Sequence, residues 1–217
     1  MDSVSPNILA LVALGVGLGL IPLVAVTTTA FLKIAIVLFL LRNALGTQQT
    51  PPNLILYGVA IVLTIYVSAP LIGNVYGTLT NPAIDYRAIE GWQAAGRDVQ
   101  GPIRDHLSRF TSPDEREFFS AATEKLWAKE GIAGADPDSL VILIPSFVVS
   151  ELTRAFEIGF LLYLPFIAID LLISNVLMAM GMTMVSPLVI SVPFKLLLFV
   201  LIDGWVRLLH GLVLSYG

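Results

Sequence analysis

Eight ionisable side chains stand inside otherwise apolar runs: Lys33, Glu151, Arg154, Glu157, Asp170, Lys195, Asp203 and Arg207. Each costs about 2.5 to 3.5 kcal/mol at the centre of a bilayer, so such residues face protein or water and mark ion pathways, relays or locking pairs. Glu151, Arg154 and Glu157 follow one another at intervals of three, which brings them together on a helix as alternating ion pairs. Asp203 and Arg207 are four apart with the acid first, the favourable order. Lys33, Asp170 and Lys195 have no partner nearby in the sequence. Three chemistries fit: intrahelical pairs with snorkelling ends, a proton or ion relay, or pairs that lock subunits together. So many charges exceed what one small chain is expected to satisfy, which points to burial between subunits.

A second cluster is Met178, Met180, Met182 and Met184, four of the five methionines in the chain. Their period of two matches no helix face. Gly181 and Ser186-Pro187 predict that the helix ends there in a loop. Flexible thioether side chains on such a loop make a soft apolar plug, or else fill gaps in a core. The motifs of zinc proteases, nucleophile-elbow hydrolases and P-loop proteins are missing. There are no cysteines and two histidines, so no cofactor or metal is expected. A net charge of −4 and a pI near 5.1 give no basic footprint for nucleic acid.

The elements that must position these residues are membrane-like. Hydrophobic residues make up 56%, charged residues 13%, and the mean hydropathy is +0.85. A water-facing protein carries about a quarter of its residues charged. The first apolar run, about 8–41, exceeds the roughly 20 residues of one span and should break at Pro22 and Thr27-Thr28-Thr29. Within it Gly15 and Gly19 form a small-xxx-small pair. A polar turn, 42–53, leads to a second run, about 54–79, interrupted by Pro70. Residues 80–139 hold seven basic and eleven acidic residues, the whole of the chain's imbalance. There Ser112-Pro113-Asp114-Glu115 reads as a helix start. Apolar character returns over 140–217, in a third segment expected to be broken and a fourth carrying Lys195, Asp203 and Arg207.

The fold predicted is therefore all-α: about four long apolar helical segments, some broken, forming helical hairpins, plus a small helical polar region. Three parts follow: 1–79, a hairpin about the turn; 80–139; and 140–217, with the methionine-rich loop at 178–187. Arg42 and Lys33 place the turn on the cytoplasmic side and residues 80–139 in the periplasm. The N-terminal run has no basic segment before it and no cleavage site, so no removable signal is expected.

The turn, Leu41-Arg42-Asn43-Ala44-Leu45-Gly46-Thr47-Gln48-Gln49-Thr50-Pro51-Pro52-Asn53, resembles the signature of the FliP/SctR proteins. So do Ser150-Glu151-Leu152, Tyr163-Leu164-Pro165-Phe166, Asp170, the Met-Gly-Met stretch, Pro193-Phe194-Lys195 and Asp203-Gly204-Trp205. The resemblance covers nearly all of the chain outside about 80–138. It implies a pore-forming core subunit of the type III secretion export gate in the bacterial inner membrane, passing unfolded polypeptides and not an enzyme. It also implies a homo-oligomeric ring, a pentamer, with SctS/FliQ-like, SctT/FliR-like and SctU/FlhB-like partners, its helices lifted largely above the bilayer. The short start is more similar to injectisome than to flagellar members. The family's methionine gasket falls on Met182 and Met184, with Met178 and Met180 nearby and Thr183 interrupting the run. The turn motif carries over as Arg42, Asn43, Gly46, Gln48, Gln49, Pro51 and Pro52. The rival reading is an ion- or proton-coupled transporter subunit using Asp170 and Lys195.

Overall fold

The computed structural model describes residues 15, 19, 20, 22–86, 89–182 and 184–217. The start of the first apolar run and Thr183 lie outside them. Among the described residues there is no strand. The helices are α1 (Pro22–Thr28), α2 (Phe31–Leu45), α3 (Asn53–Val67), α4 (Ala69–Leu79), α5 (Ile89–Phe110), α6 (Pro113–Ala128), α7 (Leu140–Ala179), α8 (Pro187–Leu201) and α9 (Gly204–Leu214). The all-α membrane class is what the structure shows. Among the described residues one helix, α7, is long and apolar enough to cross a membrane, and up to four segments qualify if each bent pair counts as one.

The bends have local causes. Between α1 and α2 the chain turns by 77° at Thr29-Ala30. The hydroxyls of Thr27, Thr28 and Thr29 donate to the carbonyls of Leu23, Val24 and Ala25, taking up the end of α1. The bend of 63° between α3 and α4 falls at Ser68, with Pro70 in the first turn of α4, where its missing N–H has no role to fill. The bend of 62° between α8 and α9 centres on Asp203, whose φ of 53° is left-handed and ends α8. Gly204 follows because a Cβ there would overlap the Phe199 ring.

The third apolar segment is not broken as the sequence suggested. Helix α7 runs through Pro145 and Pro165 for 40 residues, about 60 Å. Each proline removes one ladder bond, and packing by α2, α5 and α6 on the first half holds the helix together across the first gap. The fourth segment is broken instead.

The core forms where α2 lies along α7, closed by α3 and α9. Ile34, Val37, Leu38 and Leu41 of α2 are fully buried against Ala155 of α7, Leu56 of α3 and Leu212 of α9. Gly159 permits this approach, since a Cβ there would overlap the Leu40 side chain. A smaller cluster of Leu107, Leu143 and Phe147 seats α5 on α7. Helix α6 begins at Pro113 with Asp114 and Glu115 in its first turn, as the sequence predicts. The Ser112 backbone N–H donates to Ser150 Oγ, tying that start to α7. The α5–α6 pair thus sits at the N-terminal half of α7, and the methionine loop at its far end.

Candidate functional site

Helix pairing brings together charges that are far apart in sequence. Because α2 packs along α7, Lys33 meets Glu151 at 3.5 Å, with both side chains almost wholly buried. Glu151 is the hub. Its Oε1 accepts from Arg154 Nη1 at 3.2 Å, and its Oε2 accepts from the Tyr216 hydroxyl. Lys33 Nζ also lies 3.6 Å from the centre of the Tyr216 ring, a cation–π contact. Arg154 donates further to the Phe110 carbonyl at 2.7 Å, which links this cluster to the end of α5.

A second pair joins α7 to α8. Lys195 Nζ donates to Asp170 Oδ2 at 2.6 Å and to the Ala44 carbonyl, at the end of α2, at 3.1 Å. Lysine suits the C-terminus of a helix, where carbonyls lack partners and the dipole is negative. Asp170 Oδ1 is buried and accepts nothing.

Of the eight predicted charges, five therefore find an opposite charge within the chain. For these five, long-range helix packing supplies within one chain the partners that local spacing could not reveal. The remaining three differ from the predicted pairing. Glu157 is exposed and forms no pair with Arg154; Asp203 and Arg207 are exposed and form no pair with each other. The left-handed backbone at Asp203 takes it off the helical path that the four-residue spacing assumed.

The turn closes on itself. Arg42 Nη1 donates to the Pro51 carbonyl and to Asn53 Oδ1, and Thr47 Oγ1 to the Thr50 carbonyl. Gly46, at φ 72°, ends α2 and donates to the Asn43 carbonyl; a Cβ on it would press on Val192 at 3.1 Å. Gln48 and Gln49 are exposed, Pro51 is partly so, and Pro52 caps α3. A groove of about 680 Å³ separates Thr47, Gln48, Gln49 and Thr50 from Leu188, Val189 and Val192 of α8. The turn thus borders the base of the methionine loop.

Met178, Met180, Met182 and Met184 are 63%, 59%, 44% and 100% exposed, so they fill no core in this chain. Gly181, at φ 72°, makes the loop that the sequence predicted at the end of α7. Among the described residues no three His, Asp or Glu side chains converge to hold a metal ion.

Sequence reasoning missed Tyr216, Phe110 and His106. Tyr216 is a polar-tipped ring at the end of an apolar run, a weak signal, while the Phe110 and Ala44 carbonyls have no sequence signal at all. His106, on α5, packs edge-on to Phe110 and tilted to Phe147, and its Nε2 is buried without a partner. Burial pushes its imidazole below the usual histidine range, opposed by Glu151 and assisted by Arg109. The folded state therefore holds His106 neutral, and an unfolded segment binds the extra proton. Docking of α5 on α7 is expected to weaken as pH falls through the ordinary histidine value of 6.5 toward the lower folded one. Protection of the α5 amides, taken relative to their intrinsic exchange rate at each pH, should fall from pH 8 to 5 in the native chain more than in His106→Phe.

The FliP family model matches residues 14–212. The "Probable translocation protein y4yL" of Sinorhizobium fredii is 56% identical over 216 residues, covering 100% of this chain and 97% of that protein. The "Yop proteins translocation protein R" of Yersinia pestis is 54% identical over 200 residues, 92% of each chain. The "Virulence protein YscR" of Salmonella typhimurium is 45% identical over 201 residues, covering 92% of this chain and 93% of the other. With the family model spanning nearly its full length, the chain belongs to the FliP family.

Proposed function

We propose that the chain is a pore-forming core subunit of a type III secretion export gate, of the injectisome kind, in the bacterial inner membrane. It assembles with copies of itself, as a pentamer, and with SctS/FliQ-like, SctT/FliR-like and SctU/FlhB-like subunits. The ring passes unfolded polypeptides, and the methionine loop narrows its pore. Relatives named for translocation and secretion support the gate reading.

The observation that carries it is the division of the surface. The ion pairs are folded inward, while the outer faces of α3, α8 and the second half of α7 stay apolar and exposed. Beyond the charged Glu157, the exposed apolar side chains of α7 run from Phe160 to Met178, about 27 Å at 1.5 Å per residue. That matches a hydrocarbon layer of about 30 Å. Lipid and sister subunits are the surroundings that cover such a surface.

The pairing of Asp170 with Lys195 also suits a coupled transporter, so its neutralisation separates the two readings. In an export gate, Asp170→Asn leaves Lys195 buried without its counter-charge and should reduce both ring assembly and secretion. In a transporter, the native chain in liposomes drives pH-coupled solute flux and Asp170→Asn abolishes it with assembly intact. The gate reading predicts the first result, and the second would overturn it.

A further inference from the structure

Of the three charges left unpaired, one lines a cavity and the other two adjoin its lining residues in the sequence. This cavity, about 430 Å³, lies between α7 and the α8–α9 bend. Its walls include Ile158, Leu162 and Phe166 of α7, Phe199 of α8, and Leu208 and Arg207 of α9. Arg207 is the one charged group among its lining residues. Glu157 precedes Ile158, and Asp203 stands between Ile202 and Gly204, both of which also line it. None of the three has a side-chain hydrogen bond or ion pair among the described residues, whereas the other five apolar-segment charges do.

Asp203 has a local compensation, since it caps the N-terminus of α9, where the helix dipole favours a negative charge. Glu157 and Arg207 remain as one acid and one base, a complementary pair that a single chain leaves open. They also belong to different surfaces. Successive residues on a helix are about 100° apart, so Glu157, Phe160, Leu161 and Leu164 form a ridge beside the face that lines the cavity. Phe160 and Leu161 are 64% and 65% exposed, large apolar side chains standing outward next to the acid. A ridge and a cavity on adjacent faces give a heterologous contact, which repeats from copy to copy and closes into a ring when the rotation allows.

We infer that this cavity receives the α7 ridge of a neighbouring copy of the same chain, with Phe160 and Leu161 entering the apolar space and Glu157 pairing with Arg207. The inference rests on the export-gate reading only for the existence of a homo-oligomer; it assigns the surface. An ion pair closed off from water by apolar neighbours also fixes register, because a wrong rotation leaves both charges unpaired.

The test is charge exchange in the detergent-extracted complex, read by native mass spectrometry as the fraction of chain in oligomer. Glu157→Arg and Arg207→Glu should each lower that fraction by about tenfold or more, the scale of losing one interface charge pair. The double variant should recover to within about twofold of the native chain. Both side chains are exposed in the single chain, so thermal unfolding of the extracted variants should stay unchanged. If a reversal nevertheless unfolds the chain, Arg207→Gln should lower the oligomer fraction and Arg207→Lys keep most of it. Single reversals that leave the oligomer intact, a double variant no better than either, or equal behaviour of Gln and Lys would overturn the assignment. So would loss of a co-purifying anionic phospholipid from Arg207→Gln with the oligomer unchanged, which would give the cavity to lipid. A native chain that forms no oligomer at all would sink the export-gate reading instead.

Discussion

Glu151→Ala is expected to remove most of the folded chain from membrane extracts. The carboxylate is fully buried and opposes two cations, Lys33 at 3.5 Å and Arg154 at 3.2 Å, while accepting from Tyr216. An ion pair of this kind contributes little net stability, since desolvation offsets most of the attraction, but removing one partner costs about 3–5 kcal/mol. The reason is Lys33, which is 1% exposed and would keep only the Tyr216 ring as a favourable neighbour. A contact of that type supplies about 2 kcal/mol when desolvated, too little to hold a buried ammonium. Against a typical total stability of about 5–15 kcal/mol, the loss is large. Replacing the pair together, as Lys33→Met with Glu151→Met, should recover part of the stability, because the buried ammonium goes with the carboxylate and the cation left behind, Arg154, is partly exposed and keeps the Phe110 carbonyl. Extraction yield and Tm in detergent read both effects. A Glu151→Ala chain that melts with the native Tm would show that the cluster carries no such load.

The second large effect belongs to the methionine loop. Met182→Ala with Met184→Ala should leave assembly unchanged and raise resting ion conductance severalfold. Both side chains are exposed, Met184 completely, so truncation opens no cavity in the chain's own core. In a ring each removal repeats in every copy, and the narrowing loses its deformable lining. Methionine suits a seal that must part and reclose because its unbranched side chain adapts to irregular shapes. The leucine versions at both positions keep bulk and apolarity and should remain tight. Conductance equal to native in the alanine double variant would count against a gasket role for these residues.

Much of the fold is legible in the amino-acid sequence. Apolar runs, the charge-rich stretch and the Ser112-Pro113 start point to helices of the right kind, because periodicity and capping are local. The place of the bends is only partly legible. Thr27–Thr29 and Pro70 mark two of them, but α7 runs on through Pro145 under packing from α2, α5 and α6, which the sequence cannot display, and through Pro165 as well. The charge network is legible in membership and not in pairing. Lys33 and Glu151 are more than a hundred residues apart, and Lys195 uses a backbone carbonyl that any residue at position 44 would offer. Tyr216 stays hidden because a tyrosine closing an apolar run is ordinary until a buried carboxylate is placed beside its hydroxyl.

Export through a ring of this chain requires that other subunits around a conduit cover its exposed apolar faces. Native mass spectrometry of the complex, extracted from its native membrane in mild detergent, tests that directly. The expected result is several copies of this chain in one particle, five by the family resemblance, together with the proposed SctS/FliQ-like and SctT/FliR-like subunits. A monodisperse single chain, folded and with its ion pairs intact, would contradict it.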